Sequence, residues 1–531
     1  MGGTIIPETS PVRHRWWWLG VASAILIVTY LLRPSLTWRA EAWAEVATNF
    51  YHHARHSGWW DAIFAGDYGS LAWPMRLLSQ LLVAVLGLDA CFVWTIQMLA
   101  VASIAAACAC LCLPVFDRFG VDVRSRALLA FAFGAGAIAD YECYAAISAV
   151  YFAAIPMLAW SIGLFDHATT TAGAAWRGAL IGLMMTGKVH LLVFAPLMGA
   201  ALLWNLVVNR RKAAVGPAIA LVFATIQVVE VLSFSPSVGG MVPDAHLMQM
   251  VIDAMAHATA TWWHAIAGAH SGGFPWIIAT LLVVAFIGVT ARWRPVDRWW
   301  LASLATLVLG TLLVAAVNAR GCSYIPHHLS LASPIPDQVE NRHIILMQMF
   351  TMMALALLVG AWSSAALLPA TAFLVVVAFL SKAGDPYPTP QDSPSDWFST
   401  ISHQPTAGAI PINPDGWWYM ALGHAVVYQL DLPAVPLWTA PKDLPSAVTA
   451  VIVLAHEVRQ QQAPVSLEIT PPGGGSARLV PSITASGRIF QTFVLSGGLV
   501  PGSKVQLIGT NGRFLPLNRI AVVAKTSTPA R

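Results

Sequence analysis

Long apolar segments recur along the chain, and they constrain its fold more than any other feature. The first is WWWLGVASAILIVTYLL, residues 16–32, and comparable segments follow as far as about residue 381. The apolar core of a bilayer is about 30 Å thick and needs about 20 residues of helix to cross it. Only 10% of the 531 residues are charged, whereas soluble domains carry about 25%. The sequence therefore predicts a polytopic α-helical membrane protein with about 9–12 transmembrane helices.

The Lys and Arg residues of the short loops predict the orientation of these helices. Loops rich in Lys and Arg stay on the cytoplasmic side of a membrane. If every such cluster is cytoplasmic, each sizeable polar loop faces outside, together with everything after Lys382. The net charge is only +4, and no basic cluster alternates with aromatic residues, so we expect no nucleic-acid partner. The basic clusters are Arg13/Arg15, Arg118/Arg124/Arg126, Arg210/Arg211/Lys212 and Arg292/Arg294/Arg298.

The composition changes near residue 383. Residues 383–403 form a Pro-rich linker, so residues 1–382 are predicted to be the membrane domain. Residues 404–531 contain short runs with β propensity, separated by turn signals such as Asn511-Gly512. We expect a small, mostly β extracytoplasmic domain, which either docks an acceptor or serves as a structural cap. The β-type runs are VTAVIVLA, VSLEIT, RIFQTFVL, SKVQLIG and RIAVVA.

Acidic residues gather in the first outer loop, just after the first apolar segment. In a helix over residues 40–56, the acids Glu41 and Glu45 share one face. We expect this helix to lie at the membrane interface, with its aromatic face toward lipid and its acids toward a cavity. A solvated polar face is the alternative interpretation. The acidic face also carries Thr48/Asn49, His52 and His56, and the opposite face carries Trp43, Ala47, Phe50 and Ala54.

The segment that follows these acids resembles a known enzyme superfamily. An acid-rich first outer loop followed by DYGSLAWPMRLL, residues 67–78, resembles the GT-C glycosyltransferases, and in particular the bacterial enzymes that modify surface polysaccharides. ENRHIILMQMF, residues 340–350, resembles the entry into a late helix of that family, with His343 where an aromatic residue is usual. The resemblance implies a polyprenyl-phosphate sugar donor, a cell-surface glycan or glycolipid acceptor, and inversion at the anomeric carbon. It also implies a bacterial inner membrane protein with its active site facing the periplasm.

Sugar transfer to a hydroxyl group needs a carboxylate that accepts the proton of the acceptor. The first outer loop offers Glu41 as the general base, with Glu45 as the second candidate. Asp67 would orient the sugar or the acceptor, or ligate a metal ion. A Mg²⁺ or Mn²⁺ ion held by these three carboxylates is possible chemistry for the site. The histidines, among them the His52/His56 pair, lack a metal-binding signature.

The departing phosphate needs cations on the same face of the membrane. Lys188 interrupts an apolar run, which is costly unless its side chain lines a cavity. The alternatives for each cation are snorkelling at a helix end and a structural ion pair with the acids of the outer loops. The candidate phosphate-binding or substrate-binding residues are Arg76, Lys188, Arg320, Arg342 and His343.

Two other functions compete with the glycosyltransferase. A transporter or flippase of lipid-linked sugar would show paired halves with broken helices, and the sequence has no internal repeat. A polysaccharide polymerase or ligase would share the chemistry at the outer face but would take a diphosphate-linked donor. The sequence separates this last alternative poorly, and it does not predict an oligomeric state.

Overall fold

A computed structural model of the protein has a helical region followed by a C-terminal β region. The structure describes residues 11–32, 46–66, 70–119, 121–135, 146–165, 170–233, 298–321, 345–362, 409–412, 418–421, 425–444, 448–454, 465–481 and 490–525, and the single positions 37, 368, 369 and 372.

The described part of the predicted membrane domain is helical. Turns of π-helix, Val46–Tyr51 and Leu81–Val85, and of 3₁₀-helix, Cys110–Cys112, Pro114–Phe119, Ala149–Ala153 and Val189–Phe194, interrupt or extend the α-helices. The α-helices are α1 (Pro11–Leu32), α2 (His52–His56), α3 (Trp59–Phe64), α4 (Trp73–Gln80), α5 (Phe92–Ala109), α6 (Val123–Ala135), α7 (Ala154–Leu164), α8 (Thr171–Met185), α9 (Ala195–Val207), α10 (Arg211–Ser233), α11 (Arg298–Gly321) and α12 (Ile345–Trp362).

Several helices are long and apolar enough to cross a membrane. Among the described residues, three helical stretches meet that length and composition: Phe92–Cys112, Val189–Val207 and Arg211–Ser233. Shorter apolar helices include Trp73–Val85 and Ala149–Leu164. The prediction of apolar helices is therefore confirmed, whereas the predicted number of spans stays a prediction.

The end of α9 has its polar residue inside and its apolar residues outside. Leu203 and Val207 are exposed, whereas Asn205 is buried and its amide donates hydrogen bonds to the carbonyl oxygens of Leu164 (3.0 Å) and Ala201 (2.8 Å). A soluble helix has the opposite arrangement. Apolar side chains pointing outward suit a lipid environment, in which polar groups must be satisfied inside the protein.

Glycines allow α8 and α10 to approach closely. A Cβ atom built on Gly178 would collide with the backbone of Gly216, and one built on Gly182 would meet the ring of Phe223 at 2.7 Å. Small residues at such positions let helix backbones approach in a membrane, where dispersion contacts replace the hydrophobic effect between helices. The close pairing of these two helices therefore depends on having glycine, which has no side chain, at the contact.

An ionic cluster, in which His14 and Arg126 are buried, joins the start of α1 to the start of α6. His14 lies with Nδ1 2.9 Å from the carbonyl oxygen of Cys112 and Nε2 3.2 Å from Asp117 Oδ2. Asp117 also pairs with Arg126, whose guanidinium donates to the carbonyl oxygen of Leu111 (2.8 Å). Arg126, which the sequence assigns to a cytoplasmic loop cluster, is buried because it caps carbonyl groups left free near the end of α5.

The chain divides into two compact units. The first contains Met1–Arg33, Gly66–Met75 and Leu99–Tyr387, and the second contains Pro34–Ala65, Arg76–Met98 and Pro388–Arg531. The first outer loop is thus shared between the units, with residues 66–75 in the first and most of the rest in the second. The domain boundaries expected at residues 382 and 403 stay a prediction.

The C-terminal part of the second unit is a two-sheet β-sandwich. One sheet has the order β10-β9-β6-β7, with β4 also on β9, and the other has the order β3-β11-β5-β8. β1 and β2 form a separate pair, and β2 packs against the π-helical turn Val46–Tyr51. The strands are β1 (Ala409–Ile412), β2 (Trp418–Ala421), β3 (Ala425–Val435), β4 (Trp438–Thr439), β5 (Val448–Leu454), β6 (Ser466–Thr470), β7 (Ala477–Leu479), β8 (Phe490–Val494), β9 (Lys504–Ile508), β10 (Phe514–Leu515) and β11 (Leu517–Lys525).

The β-type runs of the sequence are confirmed as strands of this sandwich. They form β5, β6, β8, β9 and β11, all in antiparallel pairs. Alternate residues such as Val451, Val453, Ile520 and Val522 point into one shared core, as the two-residue period of a strand requires. The predicted turn at Asn511-Gly512 links β9 to β10, and Gly512 there has a φ of +76°, which favours glycine.

Candidate functional site

The end of the first outer loop is fastened to the helices of the first unit. Three backbone or side-chain hydrogen bonds hold residues 70–72 against the break between α8 and the 3₁₀-turn Val189–Phe194 and against α10. The bonds run from Val189 N to Ser70 Oγ (3.2 Å), from Leu71 N to Gln227 Oε1 (3.1 Å) and from Ala72 N to Thr186 O (2.8 Å).

Ala72 has a backbone conformation that L-residues seldom adopt. Its φ is +52°, although the residue is not a glycine, and its side chain is buried. Such a conformation costs of order 1–3 kcal/mol and persists only where the surrounding structure imposes it. The bond from Ala72 N to Thr186 O is one such constraint. The segment is therefore held in one defined conformation immediately before α4 begins.

Glu230 is an acid at this site that sequence reasoning did not identify. It lies on α10 three residues after Gln227, so both side chains share the helix face toward residues 66–73. A Cβ atom built on Gly66 would collide with Glu230 Oε1, which shows how closely this carboxylate approaches the loop backbone. Trp73 packs edge-on against Phe223 of the same face, with ring centroids 5.9 Å apart. The sequence signal that could have identified Glu230 is its position, since an acid near the end of a membrane-length apolar segment is a candidate functional residue.

Lys188 lies beside the fastened segment. It is the extended residue before the 3₁₀-turn, with φ −151° and ψ 142°, and it is half-buried. Its neighbour in the chain, Val189, bonds to Ser70, and Thr186 bonds to Ala72. The structure thus brings Lys188 together with the segment that follows Asp67 in the sequence. The helix break explains how a cation interrupts this apolar run.

A histidine and a tyrosine pack together beyond Lys188. His190 Nδ1 lies 3.4 Å from the hydroxyl oxygen of Tyr151, and the two rings meet edge to face at 5.6 Å between centroids. Both side chains are buried. Tyr151 and His190 belong to different 3₁₀-turns, Ala149–Ala153 and Val189–Phe194, so the contact joins two helix breaks. Sequence reasoning did not identify Tyr151, because tyrosine in an apolar run carries no functional signal.

Arg76 lies inside the second unit. Its side chain is only 2% exposed, its guanidinium lies 5.4 Å from the centroid of the Phe50 ring, and NH1 donates to the carbonyl oxygen of Ala62 (3.0 Å). It therefore does not snorkel to a helix end. Phe50 belongs to the face of the first outer helix that we expected to meet lipid. Of that face, Ala47, Phe50 and Ala54 are buried in the protein, and Phe50 covers Arg76.

A second polar group of this unit surrounds Asp89. Its carboxylate accepts a hydrogen bond from the hydroxyl of Tyr51 (3.0 Å) and pairs with Arg55 Nε at 3.5 Å. Burial, together with the charge of Asp89, raises the pKa of Tyr51 well above its ordinary value. The rings of His52 and His56 lie 4.9 Å apart. Within the described residues, no three His, Cys, Asp or Glu side chains are grouped as a metal site would require.

Several predicted site residues have no described position. Arg320 falls in the last turn of α11, and nothing is described of its side chain. The general-base candidates and the late-helix cation therefore stay predictions. The residues outside the described part of the chain are Glu41, Glu45, Asp67, Arg342 and His343.

Comparisons with known proteins give distant similarity among solved structures. No protein-family model matches the chain, and no curated protein matches it. Among solved structures, the chain is similar to the cryo-EM structure of arabinosyltransferase EmbB from Mycobacterium smegmatis, with 13% identity and a TM-score of 0.33. The match covers 100% of this chain and 66% of the other, so the chain spans just under two thirds of that protein. A similarity this distant assigns neither fold nor activity.

Proposed function

We propose that the chain is a membrane glycosyltransferase that moves a sugar from a polyprenyl-phosphate donor to a cell-surface glycan or glycolipid. The observation that carries the proposal is that hydrogen bonds hold residues 70–72 beside Lys188. It keeps a cation next to the segment that follows Asp67, and a lipid-phosphate donor requires a cation there. The apolar helices of membrane length provide the setting for such a lipid.

The proposed reaction is a single displacement. The acceptor hydroxyl oxygen attacks the anomeric carbon, the bond from that carbon to the phosphate oxygen breaks, and the polyprenyl phosphate leaves as an anion. A carboxylate takes the proton of the acceptor, and we assign this role to Glu41, with Glu45 as the second candidate. Asp67 orients the sugar or the acceptor, or binds Mg²⁺ or Mn²⁺ together with these two acids. The cations assigned to the phosphate or substrate are Arg76, Lys188, Arg320, Arg342 and His343.

The proposed location is the inner membrane of a bacterium, with the site and the C-terminal β domain facing the periplasm. The loops that carry the candidate residues and the β domain then share the side away from the basic clusters. In this arrangement the β domain would handle the acceptor, and the packing of β2 against the turn Val46–Tyr51 supports a link between that domain and the first outer loop.

The test is a transfer assay on the purified protein in lipid nanodiscs, with radiolabelled polyprenyl-phosphate hexoses and a crude surface glycan. We expect transfer by the wild type, and a loss of at least about 100-fold in Glu41→Gln or Glu45→Gln, since general-base catalysis contributes about 10²–10⁴-fold. Arg342→Ala should also lower the rate. The matched control is Asp61→Asn, because Asp61 is an exposed acid of the same loop, and its rate should equal that of the wild type.

Two results would contradict the proposal. If the wild type consumes no donor, the transferase is excluded. Movement of the labelled lipid across the vesicle bilayer would then establish a flippase. Equal losses in Asp61→Asn and in the two Glu variants would show that the loop acids act through general charge, without one specific base.

A further inference from the structure

The backbone on both sides of Lys188 is held by the segment that precedes α4. Ala72 N donates to the carbonyl oxygen of Thr186 (2.8 Å), two residues before Lys188. Val189 N, directly after Lys188, donates to Ser70 Oγ (3.2 Å). A residue has only two soft backbone dihedral angles, so contacts at both neighbouring positions leave it little freedom. The extended conformation of Lys188 in the helix break is therefore imposed by tertiary contacts.

Gly187 adds a contact with a second segment, the 3₁₀-turn Ala149–Ala153. A Cβ atom built on Gly187 would lie 2.5 Å from Cγ2 of Val150 and 3.4 Å from Cγ of Pro74. Two carbon atoms cannot approach to the shorter distance without displacement, since their optimal separation is about 3.5–4.0 Å. The turn and the helix break thus meet closely immediately before Lys188, at a residue without a side chain.

The same turn contacts the chain again immediately beyond Lys188. Tyr151, the residue after Val150, has its hydroxyl oxygen 3.4 Å from Nδ1 of His190, and both side chains are buried. Their rings meet edge to face, with 5.6 Å between the centroids. Two consecutive residues of the turn therefore contact one residue on each side of Lys188. Lys188 itself is half-buried between these fixed neighbours.

We propose that Gly187, Tyr151 and His190 are positioning residues, which hold Lys188 where its ammonium group meets the phosphate of the lipid donor. That Lys188 binds this phosphate rests on the proposed function. A binding group whose backbone is already fixed loses less conformational entropy when its ligand arrives. The three positioning residues act through Lys188 and need not touch the lipid.

The test is a double-mutant cycle on the binding of polyprenyl phosphate, without any sugar, to the full-length protein in nanodiscs. Tyr151→Phe removes only the hydroxyl and should weaken binding about 2- to 10-fold, the range that one neutral hydrogen bond supplies. In a Lys188→Met background the same substitution should leave the affinity unchanged, because the group that it positions is gone. Tyr30→Phe is the matched control, since Tyr30 is exposed on α1, and its affinity should equal that of the wild type.

A second set of variants tests the packing of Gly187 against the turn. Gly187→Ala should weaken binding, because its methyl group collides with Val150 and displaces the chain next to Lys188. Adding Val150→Ala removes the colliding Cγ2 atom and should restore affinity. Gly199→Ala is the matched control, since a Cβ atom built there meets nothing within 4 Å, and it should bind as the wild type does. If Gly187→Ala does not fold, the Tyr151 cycle still decides the proposal.

A purely structural role of Tyr151 predicts a different pattern. Tyr151→Phe would then weaken binding by the same factor in both backgrounds, because its effect would not pass through Lys188. That result would overturn the proposal, as would wild-type affinity in Tyr151→Phe or in Lys188→Met. Failure of the wild type to bind polyprenyl phosphate would overturn it as well.

The binding assay uses neither sugar nor acceptor, so it is separate from the test of the proposed function. A wild type that binds polyprenyl phosphate but transfers no sugar contradicts the proposed function alone. A wild type that transfers sugar, with no effect of these substitutions on affinity, contradicts the positioning roles alone.

Discussion

Single residues in unfavourable surroundings are the clearest marks of special structure in this chain. Arg76 is a cation inside a protein interior, and Tyr51 is a phenol whose hydroxyl is bonded to a carboxylate. Ala72 has a positive φ without being a glycine. The burial of Arg76 and the positive φ of Ala72 each carry a cost in free energy, and all three residues lie in or next to the first outer loop. That concentration is typical of a segment shaped by its chemistry more than by stability.

The raised pKa of Tyr51 predicts a loss of stability in alkali. Tyrosine in an unfolded chain ionises near pH 10, whereas the folded protein keeps its proton above that pH. The contribution of Tyr51 to the free energy of unfolding is fully present below pH 10. It is lost as the pH rises from there through the pKa of the folded state, because the unfolded state then binds fewer protons than the folded state. The melting temperature of the wild type in nanodiscs should fall more steeply above pH 10 than that of Tyr51→Phe.

The control for this prediction is Tyr30→Phe, because Tyr30 is an exposed tyrosine of α1. Its melting temperature should follow the wild-type dependence on pH. At neutral pH, Tyr51→Phe should itself lose about 1–2 kcal/mol through the bond to Asp89. Parallel curves for wild type and Tyr51→Phe above pH 10 would contradict the assignment.

Sequence reasoning selected its candidates in two ways. Lys188 was predicted because it interrupts an apolar run, and Arg76 because its segment resembles a known family; the structure places the first in a helix break and the second in a buried position. Gln227 and Tyr151 were missed, since neutral polar side chains are common in helices. Their significance depends on their partners, which only the packed chain reveals.

At the scale of elements, the close pairing of α8 with α10 depends on glycines, which have no side chain at the contact. α8 and α10 meet at Gly178, Gly182 and Gly216, where added side chains would collide with the opposite helix. By contrast, a Cβ atom built on Gly199 of α9 would contact nothing within 4 Å. These positions have the same residue type and similar helical surroundings, but opposite spatial requirements.

Gly178→Ala should destabilise the protein by about 1–3 kcal/mol, because the new methyl group forces the two helix backbones apart. Gly199→Ala should leave stability unchanged or raise it by up to about 1 kcal/mol, since alanine is the better helix former. Thermal melting in nanodiscs measures both. Equal effects of the two substitutions would show that the close approach of α8 and α10 is not required for stability.

The elements themselves were predicted unevenly. Long apolar runs indicated helices, and alternating β-branched residues indicated strands, because both signals are periodic along the chain. The π-turns and 3₁₀-turns, such as Val46–Tyr51 and Val189–Phe194, were not predicted. They break the regular period over a few residues and are stabilised by tertiary contacts, which include the bond from Val189 to Ser70.

At the scale of the molecule, the β-sandwich has a core of its own. The packed apolar cluster is formed wholly by residues between Trp438 and Val522, from both sheets. A domain with a complete core can fold alone, whereas an extension of the helical region could not. We therefore expect residues 404–531 to give a soluble fragment with a β-type circular dichroism spectrum and a cooperative thermal transition.

Two valine substitutions in this fragment test whether the core is the one described. Val522 is buried in the core, and Val480 is 71% exposed. Val522→Thr places a hydroxyl in an apolar core and should cost about 1–3 kcal/mol, whereas Val480→Thr should change stability little. A fragment that is unfolded, or that responds equally to both substitutions, would show that the sandwich needs the rest of the chain.

The exposed apolar side chains of α4 and of the π-turn Leu81–Val85 have a practical consequence for biochemistry on this protein. Detergent molecules solubilise a membrane protein by covering such stripes, and they would cover Leu77, Leu81 and Val85 in place of a natural lipid. A detergent chain therefore competes with lipid chains for this surface. The apparent affinity for a lipid-linked donor should fall as the detergent concentration rises. Measurements in micelles would then report a competition, and measurements in bilayers would report binding.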